Sequence, residues 1–233
     1  MNLQRRVVAE AVGTALLLAA VVGSGIMGER LAGGNVAIAL LANTLATAGT
    51  LVALILTFGP ISGAHFNPAV TLADASQGGL PWRDVPGYVV AQLVGAVAGV
   101  VSAHLMFAVA PFQVSEHVRA GGAQVFSEFI ATFGLLAVIW SLSKKRPEAT
   151  PFAVGLYIAG AYWFTASTSF ANPAVTMARS LTNTFAGIRP ADVGGFVAAQ
   201  LLGAFAATVL FRWLVPALPQ SAENVLLPHK KVS

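Results

Sequence analysis

Long apolar stretches alternate with short polar segments along almost the whole chain of 233 residues. Six of the apolar stretches are long enough for a helix to cross about 30 Å of hydrocarbon, which takes roughly 17–25 residues. They lie near residues 6–27, 35–58, 83–108, 122–143, 150–167 and 190–214. The pattern predicts an all-α membrane protein with six transmembrane helices.

The composition supports this prediction, because only 9% of the residues are charged, whereas soluble domains carry about 25%. The first apolar stretch follows Arg5 and Arg6, as in a signal peptide. It is long enough to span the membrane and ends without a clear cleavage site, so we expect a retained helix. The chain has no cysteine, which excludes a disulfide framework and a thiol nucleophile. A net charge of only +4, spread along the chain, argues against nucleic acid as a partner.

The distribution of Lys and Arg predicts the orientation in the membrane. If the N-terminus lies inside, nine of the 13 basic residues fall on the inner side and four on the outer side. Inner loops of membrane proteins carry the excess of positive charge. We therefore expect both termini in the cytoplasm, with the outer set consisting of Arg30, Arg119, Arg179 and Arg189.

The sequence repeats itself in two halves. NPAVT occurs at 67–71 and again at 172–176, and AQLVGA in the first half returns as AQLLGA in the second. Each half holds three spans, so the two halves enter the membrane in opposite senses, which places a solute site at the midplane. We expect one channel domain over 1–233, made of repeats at about 1–110 and 122–214 and a polar tail at about 215–233.

The NPA motif in each half predicts a helix that begins inside the membrane. Asn is a preferred N-cap, and Pro suits the first helical position because it lacks an N–H. Asn67 and Asn172 are therefore predicted to cap two half-helices that meet N-terminus to N-terminus, with their NH2 groups free to donate hydrogen bonds. Such re-entrant segments exist at membrane depth only where protein or a water-filled lumen surrounds them. The motif residues are Asn67, Pro68, Ala69, Asn172, Pro173 and Ala174.

Small residues predict a non-helical approach to each half-helix. Gly59, Pro60, Gly63 and Ala64 precede the first motif, and the segment TASTSFA precedes the second. Loop carbonyls and a partial positive charge of roughly half an elementary charge at each helix N-terminus would line a narrow lumen. This lumen suits neutral hydrogen-bonding solutes and repels cations and protons. The predicted pore-loop residues are Gly63, Ala64, His65, Phe170 and Ala171.

SGAHFNPAV, the paired NPA motifs and the matching positions of Glu10 and Glu128 make the chain resemble the aquaporin and aquaglyceroporin (major intrinsic protein) family up to about residue 214. The resemblance implies the fold, a homotetramer in membrane lipid and a water-filled pore in each subunit. It also implies that Glu10 and Glu128 hold the pore loops through hydrogen bonds; proton-coupled transport is the alternative. For His65 we expect a pore-lining carbonyl, with a pH gate in the side chain as the alternative.

The filter departs from the family pattern. Family members typically carry an arginine three residues after the second Asn, at the narrowest point of the pore, and here that position is Val175. Counting along the family pattern places the other filter positions on Thr47, Gly160 and Ser169. Water-selective members usually have Phe and His where this chain has Thr47 and Gly160. Small uncharged residues at all four positions predict a wide filter without arginine.

Two charged residues lie one further turn along the half-helices. Arg179 is seven positions after Asn172, on roughly the same helix face as Val175. It either reaches the pore mouth and partly replaces the missing cation, or extends to lipid headgroups at the membrane interface. Asp74 holds the corresponding position in the first half, and the same two interpretations apply at the cytoplasmic mouth.

We expect a passive channel of the cell membrane for water, glycerol and other small neutral solutes. The filter resembles that of divergent bacterial channels associated with arsenic resistance, which implies passage of arsenite and methylated arsenicals. The alternatives are an ordinary water-selective aquaporin and a structural or adhesive membrane protein. HExxH and GxSxG motifs are absent and the histidines lack metal-ligand spacing, so we expect no enzymatic activity, metal or cofactor.

Overall fold

The computed structural model describes residues 1–143 and 146–215. Within these residues the chain forms eight α-helices, linked by loops and two single 3-10 turns, and no strand. The helices are α1 (Leu3–Leu31), α2 (Val36–Ser62), α3 (Pro68–Ser76), α4 (Val85–Met106), α5 (Gly122–Leu142), α6 (Thr150–Phe164), α7 (Pro173–Arg179) and α8 (Pro190–Leu214). The predicted tail beyond residue 215 lies outside the described residues, as do four of the basic residues used for the orientation, Lys144, Lys145, Lys230 and Lys231.

All six predicted spans coincide with helices of the structure. In the described part of the chain, five helices are long and apolar enough to cross a membrane, with mean hydropathy between 1.8 and 2.0. The remaining one, α6, has 15 residues and is about 22 Å long at 1.5 Å per residue. A 3-10 turn, Pro147–Ala149, comes directly before it. Because α6 packs against both α2 and α5, it completes the bundle despite its length.

The two repeats pack in the same way. α1 lies against α4 in the first repeat, and α5 lies against α8 in the second. Glycine permits the close approach in both: a Cβ at Gly95 would lie 2.2 Å from the carbonyl oxygen of Ala11, and one at Gly203 would lie 2.4 Å from that of Phe129. Small residues at such crossings let membrane helices gain packing contacts, which hold them together in lipid.

Each repeat also contains one short helix that begins at the Pro of an NPA motif, α3 with nine residues and α7 with seven. α2 continues through Gly59 and Pro60, so the prediction of a non-helical backbone at these two residues is wrong. The helix stops at Gly63, whose φ of 89° is a left-handed C-cap that glycine adopts without a Cβ clash. The protein therefore has six membrane helices and two re-entrant half-helices in an inverted 3+3 repeat, as predicted.

Candidate pore and selectivity filter

The side chains of Asn67 and Asn172 cap the two half-helices and also join the two repeats. The Oδ1 atom of Asn67 accepts from the amide N of Ala69 at 2.9 Å, and that of Asn172 accepts from the amide N of Ala174 at 3.0 Å. The Nδ2 atom of Asn67 donates to the carbonyl of Ala171 at 2.7 Å. An NH2 group has two protons, so each Asn uses one across the repeat boundary and keeps one for the lumen.

The second Asn makes the mirror-image bond, because its Nδ2 atom donates to the carbonyl oxygen of Phe66 at 2.8 Å. The N-terminus of each half-helix thus contacts the loop that precedes the other half-helix. The prediction that the amide groups point away from their own helices is correct, but they are only partly free. These paired bonds fix the distance between the two half-helices at the centre of the protein.

Glu128 holds the second pore loop through its buried carboxylate. Its Oε1 atom accepts from the amide N of Phe170 at 2.9 Å, and its Oε2 atom accepts from the amide N of Ala171 at 2.8 Å. Nε2 of Gln200 donates to the same Oε2 atom at 2.6 Å. Without the carboxylate, the two backbone amides would be buried donors without a partner, which is costly in an apolar medium.

Glu10 does the same for the first loop. Its carboxylate accepts from the amide N atoms of His65 and Phe66 at 3.0 and 2.7 Å, and from the Nε2 atom of Gln92 at 2.8 Å. The side chain of Ser62 adds a fourth bond at 2.6 Å. The geometry is that of a loop support on both sides of the repeat, as the family resemblance implied.

The carboxylates offset backbone strain in the loops they hold. Six non-glycine residues of the described chain adopt positive φ, and four of them stand at the third and the first position before each Asn: Ala64 (50°), Phe66 (49°), Ser169 (51°) and Ala171 (49°). Such conformations cost of order 1–3 kcal/mol each and persist only where surrounding contacts impose them. The left-handed residues lie in the very segments whose amide groups the two glutamates bind.

A second layer of hydrogen bonds was not apparent from the sequence. Nε2 of Gln92 also donates to Oγ1 of Thr71 at 2.9 Å, and that hydroxyl donates to the carbonyl of Asn67 at 3.0 Å. Gln200 and Thr176 repeat the arrangement in the other half. The sequence did contain a sign of this second layer, because both threonines belong to the repeated NPAVT motif.

A cavity of about 60 Å³ runs past the two Asn side chains. A single water needs roughly 10–15 Å³ on this measure, so the cavity has room for several water-sized molecules. The predicted residues that line it are Thr47, Ala64, His65, Asn67, Ser169, Phe170, Ala171, Asn172, Val175 and Arg179. Other predicted residues lie behind this wall: Pro68, Ala69, Pro173 and Ala174 are buried in the half-helices, and Gly63 caps α2.

The filter position predicted at Gly160 is wrong. Gly160 lies on the exposed face of α6, and a Cβ there would meet nothing closer than Phe164 at 4.0 Å. Tyr162, two positions later, lines the cavity instead, and its hydroxyl donates to Oγ1 of Thr47 at 3.4 Å. Two residues turn an α-helix by about 200°, which moves a side chain from one face to the other. Thr47, Ser169 and Val175 line the cavity as predicted.

Arg179 lines the same cavity with an exposed fraction of only 2%. The interpretation that its side chain reaches lipid headgroups is therefore wrong. Its guanidinium lies 3.4 Å from the ring centroid of Phe170, and its Nε atom donates to the carbonyl oxygen of Ala186. Val175 brings no charge to the lining, but Arg179, one turn further along α7, does.

Arg119, in the connection between α4 and α5, is a second, partly buried arginine that sequence reasoning did not connect with the pore. Its guanidinium lies 5.0 Å from the Phe170 ring centroid, although Arg119 itself is not among the residues that line the cavity. Nε donates to the carbonyl of Gly187 at 2.7 Å, and one terminal nitrogen donates to the carbonyl of Ser167 at 3.1 Å. Burial lowers the pKa of the Arg119 guanidinium from its ordinary value.

Asp74 is buried in α3 and does not line the cavity. One of its carboxylate oxygens lies 3.6 Å from Nε2 of His65, a residue that does line the cavity. Nδ1 of the same ring lies 3.2 Å from Oγ1 of Thr71. The headgroup interpretation of Asp74 is wrong for the same reason as that of Arg179, because its side chain is buried and contacts His65.

Two half-helices that meet at their N-termini and a cavity lined by both repeats define a membrane channel. The sequence model of the family described as Major intrinsic protein matches residues 1–159. The chain is 58% identical over 219 residues to Aquaglyceroporin AqpS of Rhizobium meliloti (strain 1021), which covers 94% of each chain. It is 31% identical over 218 residues to Probable aquaporin NIP7-1 of Arabidopsis thaliana, which covers 91% of this chain and 77% of that one. The chain therefore belongs to the major intrinsic protein family and is a channel, not an enzyme.

A solved structure supports the fold independently. The protein is similar to the aquaglyceroporin from Plasmodium falciparum with a TM-score of 0.73, over 94% of this chain and all of that one. The two sequences share 20% identity, so this similarity concerns the fold alone. Together with the apolar helices, the family makes the chain an integral membrane protein.

Proposed function

We propose that the protein is a passive channel of the cell membrane for small neutral solutes, including water, glycerol and metalloid acids such as arsenous acid. The observation that carries this proposal is the cavity at which Asn67 and Asn172 meet. It joins both repeats and presents hydrogen-bond donors and acceptors, and no Asp or Glu is among the described residues that line it. The name of the 58% identical relative, an aquaglyceroporin, supports glycerol as a solute.

The chemistry of the filter favours hydroxylated solutes. Thr47, Tyr162 and Ser169 offer three hydroxyl groups, and Oγ of Ser169 is buried without a hydrogen-bond partner in the described residues. Val175 supplies an apolar wall opposite polar groups. A compact polyol or an undissociated trihydroxy acid has both surfaces, and methylated arsenicals add a methyl group for the apolar side. Flux through such a channel runs down the solute gradient only.

The second candidate, a water-selective channel, is favoured by the size of the cavity. The cavity of about 60 Å³, counted as space for the centres of water-sized molecules, accommodates water directly. The bulky Tyr162 side chain lines the filter where the sequence-based prediction placed Gly160, which has no side chain. Under this alternative, water crosses rapidly and every larger neutral solute is excluded.

Stopped-flow light scattering on proteoliposomes tests both candidates. We expect water, glycerol and arsenous acid to cross faster than through empty liposomes, without saturation. Val175→Arg adds bulk and a second guanidinium beside Arg179, and we expect it to slow glycerol about tenfold or more, a barrier increase of about 1.4 kcal/mol. Gln4→Arg, an exposed position near the N-terminus, adds the same charge away from the cavity and serves as the control.

Rapid water flux with exclusion of glycerol and arsenous acid would establish the water-selective channel instead. Equal glycerol flux in the Val175→Arg and Gln4→Arg proteins would show that residue 175 does not form the constriction. Absence of any solute flux from a folded, reconstituted protein would favour the structural or adhesive role.

The arrangement in the cell is part of the proposal. We propose a homotetramer in membrane lipid, with one pore per subunit, a single channel domain made of the two repeats, and both termini in the cytoplasm. The excess of Lys and Arg on the inner side and the family support this arrangement. Protease accessibility of the C-terminus in right-side-out and inside-out vesicles tests the orientation.

A further inference from the structure

Two arginines stand close together at one end of the cavity, which we call the α7 mouth (Tyr162, Ser169, Phe170, Val175 and Arg179). Arg179 and Arg119 approach the same Phe170 ring, with guanidinium-to-centroid distances of 3.4 and 5.0 Å. Arg179 is 2% exposed. Both side chains carry a permanent charge, because the guanidinium is effectively always protonated in proteins.

Neither charge has a carboxylate partner in the described part of the chain, since the ion pairs found there involve other residues. The nearby acids are already engaged. Glu128 binds the loop amides, and Asp192 accepts from Arg189 at 2.8 Å and from the amide N of Arg119 at 2.9 Å. A buried charge without a partner is strongly unfavourable, so native proteins pair such charges or bind an ion there.

The terminal nitrogens of Arg179 are the groups available to a ligand. Its Nε atom is used by the carbonyl of Ala186, and no hydrogen bond from the two terminal nitrogens to any described residue is found. These two nitrogens are not among the buried polar atoms that lack a hydrogen-bond partner. They are therefore accessible from the open space of the cavity that Arg179 lines. A guanidinium edge with two free N–H groups matches the two oxygens of a carboxylate or small oxyanion.

We propose that the α7 mouth is a binding site for a small monovalent oxyanion or carboxylate, held by the guanidinium of Arg179 and by the field of Arg119. Ser169 belongs to the same lining, but its Oγ atom is buried, so the site is assigned to the guanidinium groups. The cavity has room for several water-sized molecules, which suits a ligand of a few heavy atoms. Because the site lies in the lumen, a bound anion blocks the passage of neutral solutes.

Thermal unfolding of the purified protein tests binding without relying on transport. Sodium formate is the probe, since it is planar, small and bidentate, and sodium gluconate at equal ionic strength is the control, since it is too large for the cavity. We expect the melting temperature to rise with formate along a saturable curve, as for any ligand that binds only the folded state. Gluconate should leave it unchanged.

Two variants locate the site. Val175→Glu places a carboxylate one helical turn before Arg179, where the pair can form within α7, so this folded variant should lose the formate response. Arg179→Met should lose it as well. Arg83→Met, whose side chain is 87% exposed in the native protein, should keep it.

A glycerol-flux measurement then tests the block. At the formate concentration that gives half-saturation in the melting experiment, the site is occupied half of the time. Each protein is compared with its own glycerol flux without formate: we expect a fall of about twofold in the unmodified protein and no change in Val175→Glu. Equal melting responses to formate and gluconate would overturn the proposal, and so would a response that Val175→Glu retains. A channel that never passes glycerol but shows the saturable formate response would leave the site intact and contradict the proposed function only.

Discussion

Replacing Glu128 by Gln tests whether the buried carboxylate holds the pore loop. The substitution keeps the size of the side chain and one acceptor oxygen but turns the other oxygen into an NH2 group. If Oε2 is the atom replaced, the new donor faces two further donors, the amide N of Ala171 and the Nε2 atom of Gln200. Gln200 can rotate its own amide, but the backbone amide cannot.

The magnitude follows from the bonds that are lost. Hydrogen bonds to charged groups contribute about 1.5–3 kcal/mol each, so two of them amount to about 3–6 kcal/mol. Removing a buried charge also removes its desolvation penalty, which offsets part of this loss. We expect a net destabilisation of about 2–4 kcal/mol, which at about 2–4 °C per kcal/mol for a chain of this size lowers the melting temperature by about 5–15 °C.

The assay is thermal unfolding in detergent, combined with glycerol flux after reconstitution. Glu29→Gln is the matched control. It makes the same chemical change at an exposed position near the end of α1 that does not contact a pore loop. Glycerol flux through the Glu128→Gln protein should fall together with its stability. A Glu128→Gln protein that melts with the control would refute the loop-support reasoning. Loss of flux only under a pH gradient, at unchanged stability, would point to proton-coupled transport instead.

Two further changes test the packing and the corrected filter. Tyr162→Ala should enlarge the cavity and raise glycerol flux relative to water flux severalfold, whereas Gly160→Ala should change neither; equal effects of the two would restore the sequence-based assignment. Gly95→Leu should prevent α4 from approaching the carbonyl oxygen of Ala11, which a Cβ would meet at 2.2 Å. We expect loss of folded protein in size-exclusion chromatography, while Gly49→Leu, with open space around the Cβ position, should elute as the unmodified protein does.

The helices and the centre of the pore could be predicted because their signals are local. Hydrophobic length defines a membrane span, and Asn followed by Pro defines a helix start regardless of what surrounds it. The two motifs at 67–71 and 172–176 repeat these local signals, and inversion follows from an odd number of spans per repeat. The end of α2 lies later in the chain than the sequence predicted, because a Pro near a helix end removes few hydrogen bonds and need not end the helix.

The filter could be predicted only in part, because its residues come from segments with different constraints. Ser169 and Val175 lie within three positions of Asn172, which fixes them in space. Gly160 was placed by counting back through a loop, and a shift of two residues in a loop rotates every helical side chain before it by about 200°. Such a shift leaves the hydrophobic pattern of α6 unchanged, so no feature of the sequence reveals it.

Arg119 was missed because its contact with the pore is non-local. It is 51 positions from Phe170 in the sequence, and the connection that carries it has no regular secondary structure. Its position depends on the carbonyl groups of Ser167 and Gly187, which only the folded chain presents together. Charge alone placed it on the outer side of the membrane, and charge alone cannot tell a pore mouth from a lipid interface.

The symmetry of the repeats ends at the two mouths of the pore. Asp74 and Arg179 occupy the same position relative to their NPA motifs, as do His65 and Phe170, yet the side chains differ in charge and chemistry. A carboxylate lies 3.6 Å from Nε2 of His65 at one mouth, and a guanidinium lies 3.4 Å from the Phe170 ring centroid at the other. A cation entering at the α7 mouth meets like charge, and an anion that binds there must next approach the carboxylate of Asp74. We therefore expect an anion to stop at Arg179 rather than permeate, while a neutral solute finds hydrogen-bonding groups at both ends and crosses.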